Sequence, residues 1–537
     1  MENKRSIEYY ESRVRDVKLE DITSNGDNAR MLQQLRDNHP DFTSINLTNS
    51  ASPYYDFVVS DNDDLGWLGY FIGRNSQLKS FNVFTWLEGD TNHSKIDALA
   101  QGFSLNRSIS DMTICAEWGD FFLQRLGNFL TSNKNLTKIG LVGSEIGLET
   151  ARKLAVDLRD MSLESLLIGG LCYDSNSDTF IDEGVVTADV ITALSTHTKL
   201  ESLDLLKCNL DRSSCKALGR LSCLKELNFY ASNVDVKGMK ALADDLCCCL
   251  ESLELSHIGY EDEKEVVALS SGLAGLHSLK KLKLRKSIGD NTLQFVVAAI
   301  ANISALEVLD LSQNTSITAK GLSSLSSLLQ SDKCCLRELV LHGMHIGDDG
   351  AAALAEALAG NKSLKGLKFY DSSTSDHVAT GITATGSSAF TRLLCDTSSI
   401  NNTYLSNHTL EWFDTSYADR MTKIDFDYYL SVNRKDRYAA MHKILKNYPE
   451  FDMKPLFQWQ LKFLPLIVAW IGLARAREDL MSLSGMAIWR ERSGGSQRRE
   501  LSAIYQFVRG LPLLTVAGWR NQKMTGTESK KRKFDRL

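Results

Sequence analysis

The chain has 537 residues, 43% hydrophobic and 24% charged, with a formal net charge of −6. These proportions describe an ordinary folded globular protein and exclude extended disorder over most of its length. Its eleven cysteines are an odd number with no C-x-x-C pair, which fits neither a disulfide framework nor a zinc site.

The first residues, MENKRSIEYYESRVRD, lack the apolar core of a secretory signal, and residues 1–28 read as a polar N-terminal segment. ARMLQQLRDN follows as a first helix, with Asn28 in the cap position. A strand core starts at Phe42 (FTSINL), and residues 51–63 (ASPYYDFVVSDND) read as an insertion in a connecting turn. Further cores start at Leu78 (LKSFNV) and Ile109 (ISDMTI).

From Leu136 the pattern sharpens to L-x-x-L-x-L. It reads LTKIGL at Leu136, LESLLI at Leu163, LESLDL at Leu200, LKELNF at Leu224 and LESLEL at Leu250. It continues as LKKLKL at Leu279, LEVLDL at Leu306, LRELVL at Leu336 and LKGLKF at Leu364. The eight intervals from Leu136 to Leu364 span 228 residues, a mean of 28.5. In the copy from Leu336, Met344 and Ile346 continue the buried set, and Ala353, Leu354, Ala357 and Leu358 recur at helical spacing. A period-2 strand giving way to a period-3.6 helix at a fixed interval is the signature of a stacked repeat array. A last, weaker core at Ile400 (INNTYL) brings the expected strands to thirteen, over residues 29–410. Residues 171–186 and 371–380 read as further insertions.

Proline supports the same boundaries. Pro40, Pro53, Pro449, Pro455, Pro465 and Pro512 leave nearly 400 consecutive residues without one. Inner strands need every N–H for pairing, and helix interiors reject the ring. After Leu410 the register stops, and residues 411–537 read as a C-terminal helical module that caps the open end of the array. Its longest apolar run, Phe463 to Ala474, has twelve residues with a proline inside. That is too short to span a hydrocarbon core of ~30 Å, so no membrane span is expected.

Parallel strands lie ~4.8 Å apart while helices need ~10 Å. One strand and one helix per repeat therefore bend the array, with the sheet on a concave inner face. The leucines point into the core and the intervening residues stand on that face. One row runs Asn228, Glu254, Lys283, Asp310, Val340, Lys368, and the next runs Tyr230, Ser256, Arg285, Ser312, His342, Tyr370. With Lys281 they read either as a cross-strand charge ladder or as a recognition surface anchored by Tyr230 and Tyr370.

This period and wording resemble the ribonuclease-inhibitor class of leucine-rich repeats, in which the strand is followed by Asn or Cys three residues on and a Gly before the helix. Asn314 and Cys208 stand at the Asn/Cys position, and Ser144, Ser232, Ser287 and Met344 replace it elsewhere. The resemblance implies an α/β leucine-rich-repeat solenoid with an inner parallel sheet and outer helices. The C-terminal block is similar to one that ends some uncharacterised leucine-rich-repeat proteins of unicellular algae, a likeness that implies no activity.

The expected function is a non-catalytic protein-binding scaffold without cofactor, metal or small-molecule substrate. There is no G-x-x-x-x-G-K-[ST], H-E-x-x-H or G-x-S-x-G. The alternative is a GTPase-activating protein similar to those for the Ran GTPase; the resemblance puts its arginine in an early repeat turn, at Arg107 or Arg125. Residues 478–537 hold twelve Lys/Arg against six Asp/Glu. Lys530, Lys531, Arg532 and Lys533 form a solvated tail or a nuclear-import signal. The acidic array argues against nucleic acid as the main ligand. The cysteines read as small packing residues, reduced in an intracellular compartment, cytoplasmic or nuclear.

Overall fold

Every expected strand core except the one at Ile400 folds as a strand. A computed structural model describes residues 7–448 except 49–55, 60–64, 85–92, 116–126, 128, 131–132, 143–147, 170–172, 175–178, 181–184, 196, 235, 246–248, 258–262, 370–379, 414–419 and 436–438. The chain divides into two compact units, Met1–Ile346 with Lys368–Thr380, and Gly347–Leu367 with Gly381–Leu537.

In the first unit, the strands Ser44–Thr48, Ser80–Phe84, Asp111–Cys115, Lys138–Val142, Ser165–Gly169 and Ser202–Leu206 pair in chain order, all parallel. Glu226–Tyr230, Ser252–Ser256, Lys281–Lys283, Val308–Asp310 and Glu338–Val340 continue the sheet in the same sense. Identical core lengths keep the leucines in register: Leu309 stands between Leu282 and Leu339, and all three are buried. Helices run between strands on the other side of this core. Leu65–Arg74 and His93–Leu105 come so close that a Cβ on Gly102 would lie 1.9 Å from the Gly69 carbonyl oxygen. Only glycine fits at that crossing.

Two hydrogen-bonding ladders hold successive repeats. At the family's Asn/Cys position, the Asn314 amide donates to the Leu284 and Leu311 carbonyls and its oxygen accepts from the Ser287 and Ile288 N–H groups. The Ser287 hydroxyl donates to the Leu255 carbonyl, and the Ser232 hydroxyl donates to that of Leu205. Ser144 lies outside the described residues. The second ladder uses Asn-x-x-Leu/Ile before the strand. Asn75, Asn106 and Asn133 are buried, and the Asn106 amide donates to the Ile72 and Asn75 carbonyls while its oxygen accepts from the Ser108 and Ile109 N–H groups.

After each later strand the backbone turns left-handed. Lys207, Ala231, His257, Lys286 and Gln313 have φ between +49° and +62°. Each of their N–H groups donates to the next repeat's strand end, at 2.6–3.0 Å. The turn thus adds one further rung to the sheet's hydrogen bonding.

In the second unit, Gly366–Lys368 pairs with Trp412–Phe413 in parallel. Gly366 is there because a Cβ would lie 2.0 Å from the Trp412 ring. Phe390, Phe413 and Phe426 make the core, with ring centroids 5.5 and 4.8 Å apart in sequence. Helices Arg420–Lys435 and Ala439–Asn447 follow.

Four expectations need correction. Ile400–Leu405 is a helix, not a strand: Ser399 caps it by accepting from the Asn402 N–H. The true core is Leu410 and Phe413, both buried. The supposed insertion at 51–63 contains a strand, Asp56–Val58, paired parallel with Ser44–Thr48. Asn28 is not a helix cap. The helix starts at Gly26 with Asn25 as its cap, and the buried Asn28 exchanges hydrogen bonds with both backbone groups of Val58, at 2.8 and 3.0 Å. The polar N-terminal segment also holds a helix, Ile7–Arg13, whose Tyr10 is buried edge-on against Trp67.

Of the insertions, 171–186 includes a small antiparallel pair, Tyr173–Asp174 with Thr179–Phe180. Residues 371–379 and 449–537 lie outside the described residues, so most of the expected C-terminal module does too. Cys208, Cys215 and Cys395 are buried as expected of packing residues, whereas Cys249 and Cys335 are exposed.

Candidate protein-binding face

The side of the sheet away from the helices carries three rows of side chains, one for each outward position of a strand. In the last repeats of the first unit these rows are charged, and the charges are largely satisfied by each other. Lys283 Nζ lies 2.9 Å from Glu254, Arg285 lies 2.6 Å from Asp310, and Lys368 lies 2.6 Å from Glu338. The position after the first leucine adds Lys225–Glu201 and Lys280–Glu251, at 2.7 and 2.8 Å. Most such pairs are partly solvated and contribute at most ~1 kcal/mol each. The ladder reading therefore accounts for most of the charge anticipated as recognition surface.

The anticipated residues divide accordingly. Asn228 is half-buried and donates to Asp204. Glu254 is half-buried and also accepts from the Ser256 hydroxyl. Lys281 is exposed, and Tyr230 is 39% exposed with its ring centroid 4.5 Å from that of His257. Asp310 and His342 were expected to face solvent and are instead buried. Asp310 is enclosed because it also accepts from the N–H and hydroxyl of Ser312, beneath the Arg285 guanidinium. Tyr370 and Lys530, Lys531, Arg532 and Lys533 lie outside the described residues. The Arg107 guanidinium donates to the Ser104 and Asn106 carbonyls, and Arg125 lies outside the described residues.

The earlier half of the face is different, and sequence reading passed it over. In the row that ends at Tyr230, registered neighbours run Val142, Gly169, Leu206, Tyr230, with Phe84 at the same position further back and 47% exposed. The middle row there is Asn82, Thr113, Gly140 and Leu167, uncharged until Asp204. Gly140 and Gly169 are buried, with the Thr113 and Leu206 side chains lying within 3 Å of where a Cβ would stand. The signal was available at the x positions of LTKIGL and LESLLI.

Where the apolar row meets the charged half, Asp204, Glu226 and Glu254 lie together. Burial raises the Asp204 carboxyl pKa, the Asn228 amide partly offsets this, and the neighbouring Glu226 and Glu254 raise it further.

In the second unit, the buried Lys443 ammonium donates to the Leu394 and Asn407 carbonyls at 2.6 and 2.9 Å. Burial lowers its pKa to about 7. It closes the C-terminal end of the helix Ala384–Leu394.

The repeats, their Asn/Ser/Cys ladder and their one-sided sheet define a leucine-rich-repeat solenoid. More narrowly, the chain is similar to leucine-rich-repeat proteins of the ribonuclease-inhibitor-like class. It is 31% identical over 176 residues to the ribonuclease inhibitor of Sus scrofa, covering 31% of this chain and 38% of that protein. Over 285 residues it is 26% identical to NACHT, LRR and PYD domains-containing protein 5 of Bos taurus, covering 48% and 23%. The chain spans less than half the length of these relatives. No family model matches. Among solved structures it is similar to an internalin from Listeria monocytogenes, with TM-score 0.34, 15% identity and 68% and 93% of the two chains covered. The Rad7 and Elc1 complex in yeast gives TM-score 0.39 and 15% identity, with 71% and 91% covered. No helix among the described residues is long and apolar enough to cross a membrane.

Proposed function

We propose that the chain is a non-catalytic, intracellular protein-binding scaffold that docks its partner on the open face of the sheet. The observation that carries this reading is the face itself: regular, built on a fixed leucine core, and bearing exposed Phe84 and Tyr230. Aromatic anchors of this kind dominate binding energy at protein interfaces. The name of the porcine relative supports it, since an inhibitor of ribonuclease acts on another protein. Residues 411–537 supply a C-terminal module available for a second contact, and Lys530–Lys533 a candidate import signal.

The test is affinity capture from source-cell lysate with mass spectrometry, run in parallel on the wild-type chain and on Tyr230→Ala/Lys281→Ala. A partner held by the first and released by the second supports the reading, because both residues are exposed and their loss leaves the core intact. Equal capture by both moves binding elsewhere. Stimulated GTP hydrolysis with any of a panel of small GTPases would overturn the non-catalytic assignment.

A further inference from the structure

The scaffold reading leaves the chemistry of the partner open, and the asymmetry of the face narrows it. The charged half offers little, because Lys283, Arg285 and Lys368 already have carboxylates at hydrogen-bonding distance. A ligand docking there has to displace or desolvate paired charges, which returns little. The earlier half has no such pairs in its middle and upper rows. Phe84, Val142, Leu206 and Tyr230 occupy one row across six strands, which at ~4.8 Å per strand is a span of about 24 Å. An extended peptide covers that distance in about seven residues at ~3.3 Å each.

The row does not end neutrally. Tyr230 and Leu206 share this part of the face with Asp204, Glu226 and Glu254, set against Lys283, which is held by Glu254, and Lys281, two strands from Glu226 along its row. Asp204 and Glu226 are diagonal neighbours on adjacent strands, ~7–8 Å apart, a gap that one guanidinium or ammonium fits. Glu226 is exposed. Burial above all, and beyond it the like charges of Glu226 and Glu254, raise the Asp204 carboxyl pKa, and a cation placed there would relieve that repulsion.

From this we infer that the partner presents an extended, apolar segment ending in Arg or Lys, with the apolar side chains along the Phe84–Tyr230 row and the basic group between Asp204 and Glu226. The inference rests on the open-face scaffold reading. Charge complementarity selects the basic end.

Selection of a phage-displayed random decapeptide library on the full chain tests it. Enriched peptides should carry apolar residues followed by Arg or Lys within about seven positions. A synthetic peptide of the enriched sequence should bind roughly tenfold more weakly to Glu226→Lys and to Leu206→Ser, and more weakly in high salt. Circular dichroism identical to wild type establishes that both variants are folded. An enriched set that is acidic, a selection that yields no sequence, or an affinity unchanged by Glu226→Lys would overturn the inference. Should lysate capture still depend on Tyr230 in that event, the scaffold reading stands and only the partner chemistry is wrong. Capture insensitive to every variant on this face removes both.

Discussion

Ser287 and Asn314 form consecutive rungs of one buried ladder: the Asn314 side-chain oxygen accepts from the Ser287 N–H at 2.7 Å, and the Ser287 hydroxyl passes the connection to the Leu255 carbonyl at 2.8 Å. Each rung satisfies backbone groups that the turn after a strand leaves without sheet partners. The serine has a shorter reach than the amide; two repeats earlier Ser232 stands at the same position and its hydroxyl accepts from the Cys208 N–H, while position 258 between them lies outside the described residues. A sequence in which serine replaces asparagine therefore keeps the connection at reduced strength.

Replacing Asn314 should cost more than replacing Ser287. Asn314→Ala leaves two N–H groups and two carbonyls without their partner. Unsatisfied buried groups cost ~1–3 kcal/mol each before relaxation, so a loss of about 3 kcal/mol is expected, against about 1 kcal/mol for Ser287→Ala. Urea denaturation of both variants checks the order. Equal losses would show that the ladder carries no graded energy.

The left-handed turns make the opposite prediction, a gain. Ala231 and Gln313 hold φ of +50° and +62°, a region that costs an L-residue roughly 1 kcal/mol and glycine almost nothing. Gly343 occupies the equivalent turn one repeat later, at φ +67°. Ala231→Gly and Gln313→Gly should each leave stability unchanged or raise it by up to ~1 kcal/mol, the added unfolded-state entropy offsetting part of the relief. Thermal melts at matched concentration give the sign.

Arg285 and Asp310 should behave as an unequal pair. The arginine side chain is 40% exposed and the aspartate side chain 3%. Arg285→Ala strands a buried carboxylate, and with solvent screening on the arginine side the cost is about 1–2 kcal/mol. Adding Asp310→Asn to Arg285→Ala should recover part of it, since the amide keeps an oxygen for the Ser312 N–H. A double-mutant cycle in denaturant measures this coupling; additive losses would show that the pair contributes nothing.

These residues also mark where sequence was informative and where it was not. Strands were legible wherever three large apolar residues fill the L-x-x-L-x-L positions, because burial on one face fixes register. INNTYL imitates that spacing with Thr403 at its middle position, and the cap at Ser399 decides for a helix. Asp56–Val58 has no such pattern. It is held by Ser44–Thr48 and by Asn28, thirty residues away in the chain, a long-range constraint that no local window contains. On the candidate face, the charges drew attention to residues that prove to be paired. The uncharged row from Phe84 to Leu206 becomes visible only once the register aligns it.

Lys443 gives a pH-dependent prediction. Its folded pKa of about 7 lies below the ~10.4 of an unfolded lysine. Between those values the unfolded chain binds a proton that the folded chain does not, so stability should rise with pH. Below about 7 both states are charged and the penalty of burying the ammonium is present in full. The neighbouring Cys395 and Tyr429 are shifted upward, each chiefly by burial. They act in the opposite sense once the pH passes their unfolded values of ~8.5 and ~10. The rise due to Lys443 should therefore be clearest between about pH 7 and ~8.5. Lys443→Met should flatten that slope whatever its net effect on stability, since it removes both the titrating group and the donor to the Leu394 and Asn407 carbonyls. The measurement is the urea midpoint as a function of pH for wild type and variant. An unchanged slope in the variant would show that the lysine does not titrate in this window.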